Sequence, residues 1–253
     1  MTETIFREDA PAITVSVNLR TGPQRHLQAS QVGNIAIFEG DISLGSVDEL
    51  RVDSSLRAAV VADVTRLWPG SVVPFAVHQD LPSPQRVFDA IAHWQERTPI
   101  RFVERTAENQ LKYLDWVSFE DDGDCYSSVG RVGRKQVVSL GLSCSVGNAI
   151  HEIGHALGLW HEQSREDRGQ YVRILYQNVK PGAERNFDQQ VTDGDDIGDY
   201  DYGSIMHYGA TFFSVTGQPT IEPIRPLPPG VTLGQRQALS EGDIAAIQTV
   251  YGT

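Results

Sequence analysis

The sequence contains no uninterrupted run of eighteen apolar residues, so a transmembrane helix of ordinary length is not expected. Its start, MTETIFREDAPAITVSV, carries acids where a secretory leader needs a basic stretch followed by an apolar one, and no export signal is expected there. Positive charge is scarce and scattered. The 21 Lys and Arg stand against 33 Asp and Glu, a formal net charge of -12, which argues against a phosphate-binding surface and hence against a nucleic-acid partner. Solubility is the plain consequence of such a balance. Cysteine is rarer still: Cys125 and Cys144 are the only two. Their separation is too wide for a C-x-x-C redox or zinc pattern, which leaves a disulfide, two free thiols or half of a metal site.

The 253 residues are 40% hydrophobic, enough for one substantial domain, alone or with a short appendage. The first fifty-odd residues show little periodicity and read as an extended arm. From LWPGSVVPFAV onward, short apolar strands alternate with helices. SPQRVFDAIAHWQER predicts a helix with Ser83 as N-cap, Pro84 at its first position, and Val87, Phe88, Ile91 and Ala92 facing the core. His93 lacks a second ligand one turn away and reads as an ordinary helix residue. IRFVER, YLDWVSF and RKQVVSLG predict strands, and SEGDIAAIQTVYG predicts a closing helix capped by Ser240. No internal repeat is visible.

Three of the seven histidines lie in NAIHEIGHALGLWHEQSREDR, residues 148–168. On a helix His151 and His155 share a face and can present two imidazoles to one ion. Glu152, beside the first of them, is placed to take a proton from a water on that ion, the mechanical sense of H-E-x-x-H. Gly158 stands where a left-handed residue can end the helix, letting the chain turn back so that His161 supplies a third nitrogen. Zinc suits this set best, because three neutral imidazoles leave a coordination position open for water, as in a catalytic site. One Zn2+ per chain is expected, and hydrolysis of a peptide bond is the implied reaction. The extended form H-E-x-x-H-x-x-G-x-x-H is the metzincin signature.

HEIGHALGLWHEQSREDR resembles the astacin family of metzincins in particular, with Glu162, Arg165, Asp167 and Arg168 matching the tail of its signature. YDYGSIMHYG, residues 200–209, resembles the astacin Met-turn. The resemblance covers about residues 58 to 253 and implies an α+β zincin fold: a twisted mixed sheet with two long helices above a cleft, and a largely irregular lower part with a C-terminal helix. It implies that Met206 floors the zinc and that Tyr208 ligates the metal at rest and then stabilises the oxyanion. Neighbouring His207 reads as structural. CYSSVGRVGRKQVVSLGLSC resembles the family segment whose ends are joined by a disulfide, implying a Cys125–Cys144 bond. A second disulfide found in many astacins has neither partner here, Pro99 standing near the first place.

The same resemblance gives the arm a meaning. FEGD, Phe38 to Asp41, matches the family's propeptide motif F-x-G-D, whose aspartate binds the zinc and displaces water. Residues 1–57 are thus expected to be an inhibitory propeptide and 58–253 the catalytic domain, with an activating protease cutting near Arg57, ahead of Ala58 and Ala59. The freed ammonium would pair with Glu162. Arg236 and Arg225, in TIEPIRPLPPGVTLGQRQALS, are candidates for holding an acidic substrate residue after the scissile bond, with Arg236 favoured. The acidic run with aspartates at 193, 195, 196, 199 and 201 lacks EF-hand spacing and reads as a solvated turn, without deciding whether it binds calcium. The implied hydrolysis of a peptide bond gives protein or peptide substrates, and the zymogen arm with the implied disulfide argues for a secreted location. Two alternatives are a non-catalytic zinc module that binds peptides, against which the intact Glu152 argues, and a cytosolic peptidase.

Overall fold

The computed structural model describes residues 10–17, 25–52, 66–189 and 195–252. In chain order its regular elements are β1 (Ala12–Val17), β2 (Arg25–Val32), β3 (Ile35–Phe38), β4 (Ile42–Ser46), α1 (Val47–Val52), β5 (Val72–Val77) and α2 (Gln85–Arg97). There follow β6 (Arg101–Glu104), β7 (Trp116–Glu120), β8 (Cys125–Ser127), β9 (Lys135–Leu140), α3 (Val146–Leu157), β10 (Val172–Ile174), β11 (Ile221–Pro223) and α4 (Glu241–Tyr251). The three strands and the capped closing helix expected from sequence are all present. Among the described residues no helix is long and apolar enough to cross a membrane.

Strands β9, β7, β5 and β6 lie side by side and parallel, and β8 runs antiparallel to β9. Parallel pairing needs crossover connections, and α2 supplies the one between β5 and β6. Its apolar stripe differs from the expected one: Val87, Ala90, Ile91 and Trp94 are buried, whereas Ala92 is exposed and Phe88 is 42% exposed. The start also differs. Pro84 is the cap residue and makes no side-chain cap bond, while Ser83 lies one residue earlier in a left-handed conformation. The inward stripe is the one that packs against α3.

α3 is buried nearly all round, as a helix at the centre of a domain must be. Two tryptophans pin it by their indole N–H groups, Trp94 donating to Ile150 O (3.1 Å) and Trp68 to Ala156 O (2.8 Å). From the closing helix Tyr251 donates to Leu157 O (2.9 Å). The N-terminus of α3 is held by a capping box in which Ser145 and Asn148 satisfy each other's backbone N–H. Just ahead of it, the buried Arg86 guanidinium collects the carbonyls of Pro82, Leu140, Gly141 and Cys144 at 2.5–3.0 Å.

Cys125 and Cys144 form a disulfide that ties β8 to this same turn. Closing a loop of sequence separation 19 restricts the unfolded chain by about 3 kcal/mol. The paired substitution Cys125→Ser and Cys144→Ser is expected to lower unfolding stability by about that amount, read from denaturant midpoints at unchanged slope. An unchanged midpoint would show that the bond contributes nothing.

The described residues among the first fifty do not form the extended arm expected from their texture. β1 to β4 form an antiparallel meander that joins the main sheet through parallel pairing of β4 with β8 at Ile42 and Ser127. Val15, Ala29, Ala36 and Val47 give it a small core of its own. The boundary expected at Arg57 and Ala58 lies outside the described residues. The described residues of 159–240 form short helical turns, the β10–β11 pair and a second core around Phe187, Tyr200 and Tyr208.

Candidate active site

Gly158 ends α3 in the left-handed conformation expected of it (φ 110°), its N–H returning to Gly154 O and His155 O. The chain then doubles back through Leu159 and Trp160 and delivers His161 beside the helix. Its imidazole centroid lies 5.5 Å from that of His151 and 4.7 Å from that of His155. All three rings are buried.

Each ring is oriented through Nδ1. His151 Nδ1–H donates to Ile205 O (2.8 Å), His155 Nδ1–H to Leu159 O (2.8 Å) and His161 Nδ1–H to Glu39 Oε2 (2.8 Å). Those bonds leave the three Nε2 atoms converging on one point, the tautomer a metal ligand requires. Asp41 enters the same point from the hairpin between β3 and β4. Its carboxylate oxygens lie 3.3 Å from His151 Nε2, 3.6 Å from His155 Nε2 and 3.1 Å from His161 Nε2. His151 Nε2, His155 Nε2 and Asp41 Oδ1 are buried yet accept or donate no well-formed hydrogen bond. Buried polar atoms aimed at one point without partners are what a cation site presents.

Asp41, His151, His155 and His161 form the one metal-holding group among the described residues, their ligand atoms all within 4.8 Å of one another. The electrostatics agree. Burial drives His151 down to about 3, with Arg236 adding to the effect, and also lowers His155, so both rings are neutral ligands at pH 7. Burial opposes ionisation of Asp41 and protonation of His161, but the charge of each on the other prevails. Asp41 is held well below the usual carboxylate range and His161 rises to about 9. A divalent cation would take the place of that proton. Three imidazoles and a carboxylate suit zinc.

Met206 lies beneath the helix. A β-carbon on Gly154 would stand 2.7 Å from the Met206 sulfur, which explains the glycine between the two helical histidines. Glu152 is buried next to His151. The ring of Tyr208 is 4.6 Å from that of His161, and its hydroxyl donates to Glu39 O in the hairpin. His207 is structural as expected: Nδ1–H donates to Tyr208 O and Nε2 accepts from Tyr200 Oη, both at 2.7 Å. His93 Nε2 accepts from Leu239 N–H (3.0 Å), away from the cluster.

Glu162 points elsewhere. Its Oε1 accepts from Asp201 N–H (2.7 Å), and its carboxyl borders a cavity of about 340 Å³ lined by Leu67, Trp160, Ile247 and Val250 among others. Burial pushes it up to about 8. Arg236 donates through one nitrogen to Ile205 O (2.8 Å), His207 O (3.1 Å) and Gln235 O (3.0 Å), clasping the turn that carries Met206. Arg225 is exposed. Of the acidic run, Asp193 lies outside the described residues. Asp195, Asp196, Asp199 and Asp201 belong to no metal-holding group among the described residues; Asp196 accepts from Asp167 N–H and Asp201 from Gly203 N–H.

Two contributors were not anticipated. Asp243, third residue of α4, completes a capping box with Ser240 and also accepts from Ser204 Oγ (2.6 Å) and Ile205 N–H (3.0 Å), fixing the Met206 turn. Its signal in sequence was the S-x-x-D spacing at a helix start. Gln163 Oε1 accepts from Tyr208 N–H (2.9 Å), and no local pattern marks it.

The Astacin (Peptidase family M12A) model matches residues 60–252. Zinc metalloproteinase nas-13 of Caenorhabditis elegans is 36% identical over 92% of this chain and 54% of its own length. That share of the chain exceeds residues 58–253, so the match runs into the first 57. Blastula protease 10 of Paracentrotus lividus is 36% identical over 85% of this chain and 38% of its own length. The chain thus spans about half the first of these relatives and less of the second. Among solved structures, High choriolytic enzyme 1, a hatching enzyme zinc-protease from Oryzias latipes, superposes with a TM-score of 0.66 at 33% identity, covering 75% of this chain and 96% of that one. With the three histidines of the metal-holding cluster inside the matched residues, the chain belongs to the astacin family of zinc metalloendopeptidases.

Proposed function

We propose that this chain is the latent form of a zinc endopeptidase that cuts proteins or peptides internally. The observation that carries the reading is the convergence of three imidazole Nε2 atoms on one point into which the β3–β4 hairpin inserts Asp41. His151, His155 and His161 hold the zinc, which when bound polarises a peptide carbonyl and lowers the pKa of water toward about 7. Glu152 accepts the proton of the attacking water and passes it to the leaving amine. The Tyr208 hydroxyl, released from Glu39 O, donates to the developing oxyanion. Met206 keeps the floor apolar.

Residues 1–57 act as an inhibitory propeptide and 58–253 as the catalytic domain. Asp41 excludes water from the metal position, while β4 occupies the edge of β8 where an extended peptide would otherwise pair. An activating protease cuts near Arg57. The new ammonium then enters the cavity beside Glu162, whose buried carboxyl gains there a second cationic partner beside Arg165 at 3.6 Å. A secreted protein fits the disulfide and the latent arm.

Specificity is assigned to Arg236 rather than Arg225. Its charge acts on His151 and Tyr208, next to the metal position, whereas Arg225 acts on Tyr202. A library of end-blocked peptides incubated with the cut chain is expected to be cleaved internally, with Asp or Glu enriched after the cut. Chelation should stop cleavage and zinc restore it. Arg236→Lys should weaken the acidic preference, since an ammonium cannot form the paired bonds of a guanidinium, while neutral peptides are still cut. Cleavage confined to chain ends would contradict the endopeptidase reading, and a profile without acidic preference would remove the role of Arg236.

A further inference from the structure

The hairpin that carries Asp41 carries a second carboxylate, and it meets the same histidine. Phe38 and Ile42 pair across a three-residue loop in which Glu39 (φ 46°) and Gly40 (φ 81°) both adopt left-handed backbone. Glycine takes that conformation without steric cost and glutamate does not. The consequence of the double twist is that residues 39 and 41 reach opposite edges of one imidazole. Glu39 Oε2 lies 2.8 Å from His161 Nδ1, and Asp41 Oδ1 lies 3.1 Å from His161 Nε2. Glu39 is 0% exposed.

His161 is the ligand with the weakest local support. His151 and His155 stand on α3 and direct their Nδ1–H groups at backbone carbonyls of the catalytic part, Ile205 and Leu159. His161 follows the end of that helix, and the acceptor facing its Nδ1 comes from 122 positions away, in the arm. A carboxylate behind a metal-bound histidine fixes the ring and raises the basicity of the opposite nitrogen.

We infer that Glu39 is a positioning residue of the metal site: its carboxylate, supplied by the arm, orients His161 so that the latent chain holds zinc more tightly than the three histidines and Asp41 alone would. The docked arm then does two things at once, closing the metal position through Asp41 and securing the third ligand through Glu39. This rests on the reading of the first 57 residues as an arm docked on the site. That docking has its own reporter, the Ser127 N–H that donates to Asp41 O (2.9 Å).

The test uses the full, uncut chain with Glu39→Gln and Glu39→Ala. Zinc affinity is measured by competition with a chelator, His161 Nδ1–H by histidine-selective 15N labelling, and arm docking by hydrogen exchange at Ser127. The expected result is zinc binding weakened about 10- to 100-fold in the alanine variant and by an intermediate factor in the glutamine variant, which keeps an acceptor but not its charge. The low-field Nδ1–H signal should shift in Gln and vanish into exchange in Ala, with Ser127 still protected. Zinc affinity within twofold of wild type in both variants, with Ser127 protected, would overturn the inference. Loss of Ser127 protection in both would overturn it too, since Glu39 would then be holding the arm rather than the histidine. An unprotected Ser127 in the wild-type chain would instead bring down the docked arm itself, and the inference with it.

Discussion

Glu152→Ala in the cut chain is expected to retain about one zinc per chain while kcat/KM falls on the order of 10²- to 10⁴-fold. The reason lies in the division of labour on one helix. His151 and His155 keep their Nδ1 bonds to Ile205 O and Leu159 O, so the nitrogens that hold the metal are undisturbed. The carboxylate one residue along is the group that takes the proton, and its loss costs roughly 3 to 5 kcal/mol of transition-state stabilisation. Metal analysis alongside a peptide assay reads both halves. Near wild-type turnover would remove Glu152 as the base, and loss of zinc together with activity would recast it as part of the metal site.

Asp41→Ala in the uncut chain is expected to raise basal hydrolysis by about 10- to 100-fold, the equivalent of one charge-assisted contact worth roughly 1.5 to 3 kcal/mol. The carboxylate is what the hairpin places among the three Nε2 atoms, and alanine leaves that position open to water. The rest of the arm stays paired to β8, so the rise is expected to stop short of the fully cut activity. Mass analysis must show Arg57–Ala58 intact during the assay. Basal activity equal to that of the uncut parent would mean that latency depends on the strand pairing and not on Asp41.

The parts of this molecule legible in sequence were those encoded within a few turns of chain. H-E-x-x-H fixes two ligands by helical spacing, Gly158 announces the reversal, and Ser240 marks a helix start. The parts that escape it depend on contacts between residues distant in sequence, 122 positions apart for Glu39 and His161 and 38 for Asp243 and Ile205. Nothing near Glu39 shows that it lies behind His161, and nothing near Asp243 shows that it anchors the turn of Met206. α2 was misjudged at Ser83 and Phe88 because its inward stripe is chosen by the close approach of α3. The meander of β1 to β4 reads in sequence as an extended arm because its inward residues include Ala29 and Ala36, too small to register as an apolar alternation, and because its pairing with β8 is not visible locally.

The central claim, a zinc endopeptidase held latent by its own first 57 residues, is tested most directly by following one sample through limited tryptic cleavage. Peptide hydrolysis and the new N-terminus are recorded at each time point. The account predicts a nearly inactive starting chain and activity that rises in step with a cut at or near Arg57. Full activity in the uncut chain, or a cut at that position with no gain, would contradict it.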